Sequence, residues 1–396
     1  MKPFSFYSPG KIFFGEGSAF RVTDFLKEHC YHKLLVVTGK HVSKTASFES
    51  LIRVLEHTSF QIQIFTDTIP DPTVTSIDTA ADFLKSYDAD AVLAIGGGSC
   101  IDTAKAMCML ATNPGSVREY LFGGSRDVTV PPLPLLCIPT TAGSGSEVTA
   151  ACVVTDEERN LKLSVTHPSL IPCCALVDPV MQLDMPAGVT AATGMDALTH
   201  AIEAYTSKNS NPVSDMYAEK AISLIAASLR TAVWNPENIT ARENMALAST
   251  LAATAFVQAG LGAVHGIAQS MGAIAHTSHG VSNALLLPYV MDVNLPGCIK
   301  KYKNIGTLFH NTYNGMSDRE GAKAGISAIK LLCRDIRLPK NLEQLHVTRE
   351  MFDAIVEGTM NYRLLPLNPV TLTKEDVYRI LEKAYKGGAP CYYDEI

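Results

Sequence analysis

The chain is poor in charge. Only 18% of its 396 residues are Asp, Glu, Lys or Arg, and they leave a net charge of −6 with an isoelectric point of about 6.0. A nucleic-acid partner requires a basic face and an anionic lipid surface a polybasic cluster. The sequence has neither, so no nucleic acid and no membrane are expected as partners. Long apolar runs are missing as well: none reaches the roughly 18–20 residues that a membrane span needs. Met1 to Gly10 lacks a basic segment followed by an apolar one, so no secretory signal is expected. The ten cysteines contain no Cys-x-x-Cys pair, and Cys173 and Cys174 are adjacent, a poor arrangement for a cross-link. Mostly buried thiols in a reduced, cytoplasmic protein are expected instead. Apolar residues are abundant, at 47%, and over this length they suffice for two domains, each with its own core.

The first half alternates between strands and helices. Leu34 to Val37 is a short apolar run ending at Gly39, and Gln61 to Phe65 alternates with period two. Ala91 to Ile95 is apolar throughout and runs into Gly96-Gly97-Gly98. Leu133 to Ile138 and Cys174 to Val177 are further runs of the same kind. Short, fully apolar strands separated by helical stretches predict a parallel sheet covered on both faces. After Pro186 helical periodicity dominates: Ala191 to Thr206, Ser214 to Ala232, Thr240 to Phe256 and Val264 to His276, with further helices to Tyr385. Trp234-Asn235-Pro236 and Leu295-Pro296-Gly297 read as breaks. The boundary is placed between 183 and 187, giving an α/β domain over 1–185 and an all-helical domain over 186–396.

Gly96-Gly97-Gly98-Ser99 follows a buried strand and opens a helix. Ser99 is read as the N-cap, with Asp102 completing a capping arrangement. Glycines let backbone N–H groups approach an anion, and the helix N-terminus favours negative charge, which suits a pyrophosphate. A tight turn without a ligand is the competing reading, since GxGxxG is absent. A second segment, Pro139 to Thr149, also follows an apolar strand. It is rich in hydroxyls, among them Thr140, Thr141, Ser144, Ser146 and Thr149, which can donate to phosphate and ribose oxygens. Lys162 is a candidate for an added positive charge. The carboxyl end of a parallel sheet is where such folds bind ligands.

Asp196 and His200 are spaced i, i+4, which places a carboxylate and an imidazole one turn apart on a helix face. An ordinary hydrogen-bonded pair has the same spacing. His265 and His279 lie further on. A straight helix would hold them about 21 Å apart, so they can share one ion only if the chain breaks between them, for which Gly272, Thr277 and Ser278 are candidates. One carboxylate and three imidazoles suit Fe²⁺ or Zn²⁺, with other divalent metals also accommodated. Spacing alone does not make the four converge.

These segments together resemble the iron-containing (group III) alcohol dehydrogenase family. The likeness includes Phe4 to Gly17, Gly96 to Ser99 with Asp102, Thr103 and Lys105, and Pro139 to Thr149. It continues through Val177-Asp178-Pro179, Ala191 to Tyr205, Gly262 to Pro288 and Asn368-Pro369. The stretch Thr190 to Tyr205 is the most specific. The resemblance implies a Rossmann-like N-terminal domain with a parallel sheet and an all-α C-terminal domain, a dehydroquinate synthase-like architecture with the cofactor in the cleft between them. It implies a metal held by Asp196, His200, His265 and His279, acting as Lewis acid on the substrate oxygen while hydride passes to or from NAD(P)(H). It also implies a homodimer or a larger homo-oligomer, and it brings Val153 and Phe256 forward as candidates for the substrate pocket.

Three positions depart from the family pattern. A histidine usually follows four residues after the one matching His265; here it is Gln269, which cannot serve as a general acid or base. Proton exchange is then expected through metal-bound water, the ribose hydroxyl or His276. After Thr38, NAD-preferring relatives carry an Asp that repels a 2′-phosphate; here Gly39-Lys40 follows, which leans the expectation towards NADPH, with dual use open. Val370 stands where Arg usually follows Asn-Pro, and Arg363 is a candidate partner for an anionic aldehyde or else a solvated surface group. Val257-Gln258, beside Phe256, are unusual. The expected activity is oxidation of a short-chain primary alcohol or reduction of the aldehyde. The alternatives are an acid-bearing aldehyde as substrate, or a metal-dependent lyase or cyclase on the same scaffold.

Overall fold

Strands that are apolar along their whole length must be covered on both faces, and this requirement organises the first half of the chain. The computed structural model describes residues 3–7, 9–159, 161–312 and 314–387. Its strands are β1 (Lys11–Phe14), β2 (Lys33–Thr38), β3 (Gln61–Phe65), β4 (Ala91–Gly96), β5 (Leu135–Pro139), β6 (Ala151–Asp156), β7 (Leu161–Thr166) and β8 (Cys174–Val177). The helices between them are α1 (Val22–Glu28), α2 (Ala46–Glu56), α3 (Val74–Tyr87) and α4 (Gly98–Thr112). Six strands form one parallel sheet in the order β1-β8-β5-β4-β2-β3.

Alternate residues of the central strands serve two separate cores. Leu34, Val36, Leu93, Ile95, Leu136 and Ile138 pack with Phe25 and Leu26 of α1 and Phe48, Leu51 and Leu55 of α2. Leu35, Val37, Val92, Ala94, Leu135 and Cys137 pack on the other face with Leu84 of α3 and Ile101, Ala104 and Met107 of α4. Each fully buried Leu, Ile or Val contributes about 1.5–3 kcal/mol, so strand polarity and register follow from burial. The remaining strands, β6 and β7, form an antiparallel hairpin that sequence periodicity had not marked. Nine described cysteines are free, and only Cys30 is exposed. Burial pushes the Cys152 thiol up to about 12, as expected of an inert core thiol.

The second half is helical: α5 (Ala187–Thr206), α6 (Pro212–Trp234), α7 (Ile239–Ala259), α8 (Ala263–Ala275), α9 (His279–Leu308), α10 (Asp318–Asp335), α11 (Phe352–Met360) and α12 (Lys374–Lys386). Tyr7 to Met185 form one compact unit, and the described residues up to Phe6 group with those from Pro186 onward. The N-terminal segment therefore parts from the α/β domain it was assigned to; Phe6 stacks on Tyr217 of α6, with ring centroids 6.2 Å apart. Among the described residues no single helix is long and apolar enough to cross a membrane.

Two local expectations are corrected. Leu295-Pro296-Gly297 is no break, for α9 runs through both Pro288 and Pro296. An interior proline costs about 3 kcal/mol, but α9 buries Leu285, Leu286, Leu287, Val290, Met291 and Leu295, which outweighs it. Ser99 is not an N-cap. Helix α4 already begins at Gly98, Gly97 is the cap residue without any side-chain bond, and Ser99 sits in the first turn, where its Oγ accepts from Asp71 N at 3.3 Å.

Candidate metal centre

Helix α5 buries 16 of its 20 residues, so every polar side chain on it needs an internal partner. Asp196, His200 and Glu203 fall on one face of it and are 6%, 5% and 6% exposed. The chain break demanded by His265 and His279 is present. Helix α8 stops at Ala275, His276 takes the left-handed conformation (φ 52°), and α9 starts at His279. Gly272 is not part of the break; it lies buried inside α8.

Three of the four candidate ligands, Asp196, His265 and His279, cluster, and His200 lies beside Asp196. Asp196 Oδ1 lies 4.0 Å from His200 Nε2, 3.8 Å from His265 Nε2 and 3.6 Å from His279 Nε2. The ligand atoms of Asp196, His265 and His279 lie within 4.8 Å of one another. A tetrahedron's edge is about 1.63 times its centre-to-vertex distance. Edges of 3.6–4.0 Å thus correspond to arms of roughly 2.2–2.5 Å, near the about 2.0–2.2 Å of Zn–N and Zn–O bonds. The donor set, one carboxylate oxygen and three imidazole nitrogens in a buried place, fits a divalent metal. Burial pushes the Asp196 carboxyl up, but His200, His279 and His265 outweigh that and, with the Asn283 amide, hold it below its ordinary value.

Two residues of the site escaped sequence reasoning. Glu203 Oε2 is 2.5 Å from His265 Nδ1, while its Oε1 accepts from Val264 N at 2.7 Å. One carboxylate thereby satisfies an orphan donor at the start of α8 and holds the proton of His265 on Nδ1, leaving Nε2 as the ligand atom. Asn368 helps: its Oδ1 accepts from Ala263 N at 3.3 Å, and its amide pairs reciprocally with Asn294 at 3.0 and 2.8 Å. Asn283, one turn after His279, donates to Asp196 Oδ1 at 2.7 Å. The i+7 spacing of Glu203 from Asp196 and the i+4 spacing of Asn283 from His279 were the available signals.

Other predicted residues fall as follows. Phe256 packs its ring on His200, centroids 4.6 Å apart. Gln269 is half-buried on α8, one turn after His265. His276 and Arg363 are exposed. Val153 lies in β6, 39% exposed, and its N–H donates to Asp102 Oδ2 at 3.0 Å. Asp102 thus faces β6 and is buried, and burial pushes its carboxyl up against the pull of Lys105.

The glycine turn and the hydroxyl segment meet. Thr140 N donates to Gly96 O at 3.0 Å. A Cβ on Gly97 would stand 3.1 Å from Thr141, and one on Gly98 only 2.7 Å from Ser144 Oγ, so the close approach needs glycine. Thr149 and Ser146 are buried; Lys105 Nζ donates to Thr149 O, Thr149 Oγ1 and Ala151 O at 2.8–2.9 Å, fixing this segment to α4. Lys162 does not offer a free charge: it pairs with Asp71 at 2.6 Å. Lys40 pairs with Asp67 at 3.0 Å, and Gly39 forms an isolated bridge with Asp67.

Comparison with known proteins decides the family. The model of "Iron-containing alcohol dehydrogenase" matches residues 9–179, and that of "Fe-containing alcohol dehydrogenase family, C-terminal" matches 190–385. Alcohol dehydrogenase 4 of Saccharomyces cerevisiae is 37% identical over 381 residues, covering 96% of this chain and 98% of the yeast protein. The chain belongs to the iron-containing alcohol dehydrogenase family. NAD-dependent methanol dehydrogenase of Bacillus methanolicus is 34% identical over 96% of this chain and 99% of its own. The structure of an alcohol dehydrogenase from Oenococcus oeni superposes with a TM-score of 0.93 at 34% identity, covering 97% of this chain and all of that one. As an iron-containing alcohol dehydrogenase, the chain is an oxidoreductase acting on alcohols, and the family brings with it a divalent metal and NAD(H). The two-domain fold expected from the resemblance is the one observed.

Proposed function

We propose that the protein interconverts a short-chain primary alcohol and its aldehyde with a nicotinamide coenzyme, at a centre built from Asp196, His200, His265 and His279. The convergence of these side chains on Asp196 Oδ1, within 3.6–4.0 Å, carries the reading. A divalent metal bound there supplies Lewis acidity towards the substrate oxygen. The chain's own residues orient the ligands. Glu203 holds the tautomer of His265, and Phe256 shields His200 with an apolar wall that suits a small carbon chain. Gln269 has no titratable group, so proton exchange does not pass through that position. Fe²⁺ is the proposed metal, with Zn²⁺ as the alternative occupant. Gly96 to Ser99 and the Thr140 to Thr149 segment are proposed to receive the coenzyme phosphates.

The test is a panel of primary alcohols and aldehydes, anionic aldehydes included, assayed with NADH and NADPH on protein reloaded anaerobically with Fe²⁺ or Zn²⁺. Metal-dependent turnover of uncharged short-chain substrates is expected. Turnover confined to anionic aldehydes would shift the reading to them, and its absence throughout would sink it.

For the coenzyme, Asp67 removes the reason to lean towards NADPH. The strand beside the glycine-turn strand ends where Rossmann-type sites hold the adenosine ribose. Gly39 leaves that strand end without its own carboxylate, but Asp67 supplies one beside Gly39 and occupies Lys40. A 2′-phosphate would meet the negative charge of Asp67. Asp67→Ala is expected to lower the ratio of kcat/KM for NADH over NADPH about tenfold, the factor of one lost repulsion of about 1.4 kcal/mol. An unchanged ratio would dismiss the role of Asp67.

The protein is proposed to be cytoplasmic, given its free thiols, and to form a homodimer or larger homo-oligomer. The edge strand β1 leaves Ile12 and Phe14 38% and 41% exposed, which supports association; light scattering in solution tests it.

A further inference from the structure

Asn283 is fully buried and sits where three candidate ligand atoms come together. Its Nδ2 lies 2.7 Å from Asp196 Oδ1, 3.2 Å from His265 Nε2 and 3.1 Å from His279 Nε2. Its Oδ1 is buried and meets no hydrogen-bond partner among the described residues. An amide so placed has only one workable orientation. Turned over, its oxygen would stand 2.7 Å from a carboxylate oxygen and face the lone pair of His265 Nε2. The stranded carbonyl costs about 1–3 kcal/mol, so what the nitrogen does must matter more.

The nitrogen has two protons for three acceptors. His265 Nε2 is an acceptor because Glu203 takes the proton on Nδ1, at 2.5 Å. The lone pairs of Asp196 and His265, both buried, repel one another and would turn away from a common point unless a donor or a cation occupies it. We infer that Asn283 is a positioning residue for the metal site: its amide holds Asp196 Oδ1 and the Nε2 atoms of His265 and His279 facing one point. With a cation held by the imidazoles, the Asn283 amide would still have Asp196 Oδ1 as its acceptor, which would orient that carboxylate and draw charge from it. The inference rests on reading the four side chains as a metal site. It assigns to Asn283 a task that no ligand performs, since Asn283 donates to the ligand atoms and does not offer its oxygen.

The test uses the full-length protein stripped of metal with a chelator and titrated with Co²⁺ against a chromophoric competitor. Asn283→Ala is expected to raise the Co²⁺ dissociation constant about tenfold or more and to change the visible ligand-field spectrum of the bound Co²⁺, because Asp196 is no longer held by one oxygen. Asn283→Asp keeps the shape but turns the donor into an acceptor. It is expected to lose the positioning as well, which separates this role from that of a fifth ligand, for which the added carboxylate would tighten binding. The melting temperature of the metal-free proteins is read in parallel. Variants that melt lower but bind Co²⁺ with wild-type affinity and spectrum would reduce Asn283 to a packing residue and overturn the inference, as would tighter binding by Asn283→Asp. Failure of the wild-type protein to bind Co²⁺ stoichiometrically would instead overturn the metal reading beneath it.

Discussion

Asp196→Ala is expected to leave a folded protein that holds no stoichiometric metal and oxidises alcohols at least about a thousandfold more slowly. Asp196 supplies the only carboxylate among the four proposed ligands, and the three imidazole Nε2 atoms lie 3.6–4.0 Å from its Oδ1. Without it three neutral imidazoles must hold a dication in a buried place, with no negative charge to offset its desolvation. A Lewis acid contributes several kcal/mol at the substrate oxygen, and about 4 kcal/mol corresponds to a thousandfold in rate. Elemental analysis of anaerobically purified protein and kcat/KM for a short-chain alcohol check it, with circular dichroism to verify folding. Stoichiometric metal together with activity within tenfold of wild type would remove Asp196 from the centre.

Glu203→Gln is expected to weaken metal binding by about 10- to 100-fold, the usual cost of losing the partner of a ligating histidine. It is also expected to lower stability by about 1–3 kcal/mol. The carboxylate serves two donors with two oxygens, Val264 N at 2.7 Å and His265 Nδ1 at 2.5 Å. Glutamine has one acceptor oxygen, so its NH₂ must face one of those donors, and a buried N–H is left unsatisfied. If the unsatisfied group is Nδ1–H, His265 moves its proton to Nε2 and ceases to be a ligand until the proton returns to Nδ1. Metal competition and thermal unfolding of the metal-free protein read the two effects separately. Wild-type metal affinity in a destabilised variant would confine Glu203 to capping α8.

Much of the fold was legible because burial leaves a periodic trace. β2, β4 and β8 are uninterrupted apolar runs, and each coincides with a strand of the parallel sheet. The β6–β7 hairpin was not legible: Leu161-Lys162-Leu163-Ser164-Val165-Thr166 has the alternation of a half-exposed strand, yet it sits among polar turns, and only its pairing with β6 marks it. Pro296 misled for a similar reason. Proline reports on the local backbone, whereas the continuity of α9 is decided by what its apolar face buries. Ser99 misled because Gly98 before it is already helical, so the cap falls two residues earlier, at the extended Gly97.

The candidate centre divides along the same line. Asp196, His200 and Glu203 share a helix, so the 3.6-residue turn alone sets them on one face, and the same holds for His279 and Asn283 on α9. Lys40 illustrates the opposite case: read along the chain it invites a 2′-phosphate, but Asp67, 27 positions later, lies 3.0 Å from it. The sequence by itself determined the family, the parallel sheet, the helical second half and the one-turn pairs of polar residues, because each is written in local spacing. Only the tertiary structure decided that α5, α8 and α9 bring Asp196, His265 and His279 together, that Glu203 and Asn283 bond to them, and that Asp67 meets Lys40. Such meetings join residues far apart in the chain, and their distances are set by helix packing and strand order, which no local pattern encodes.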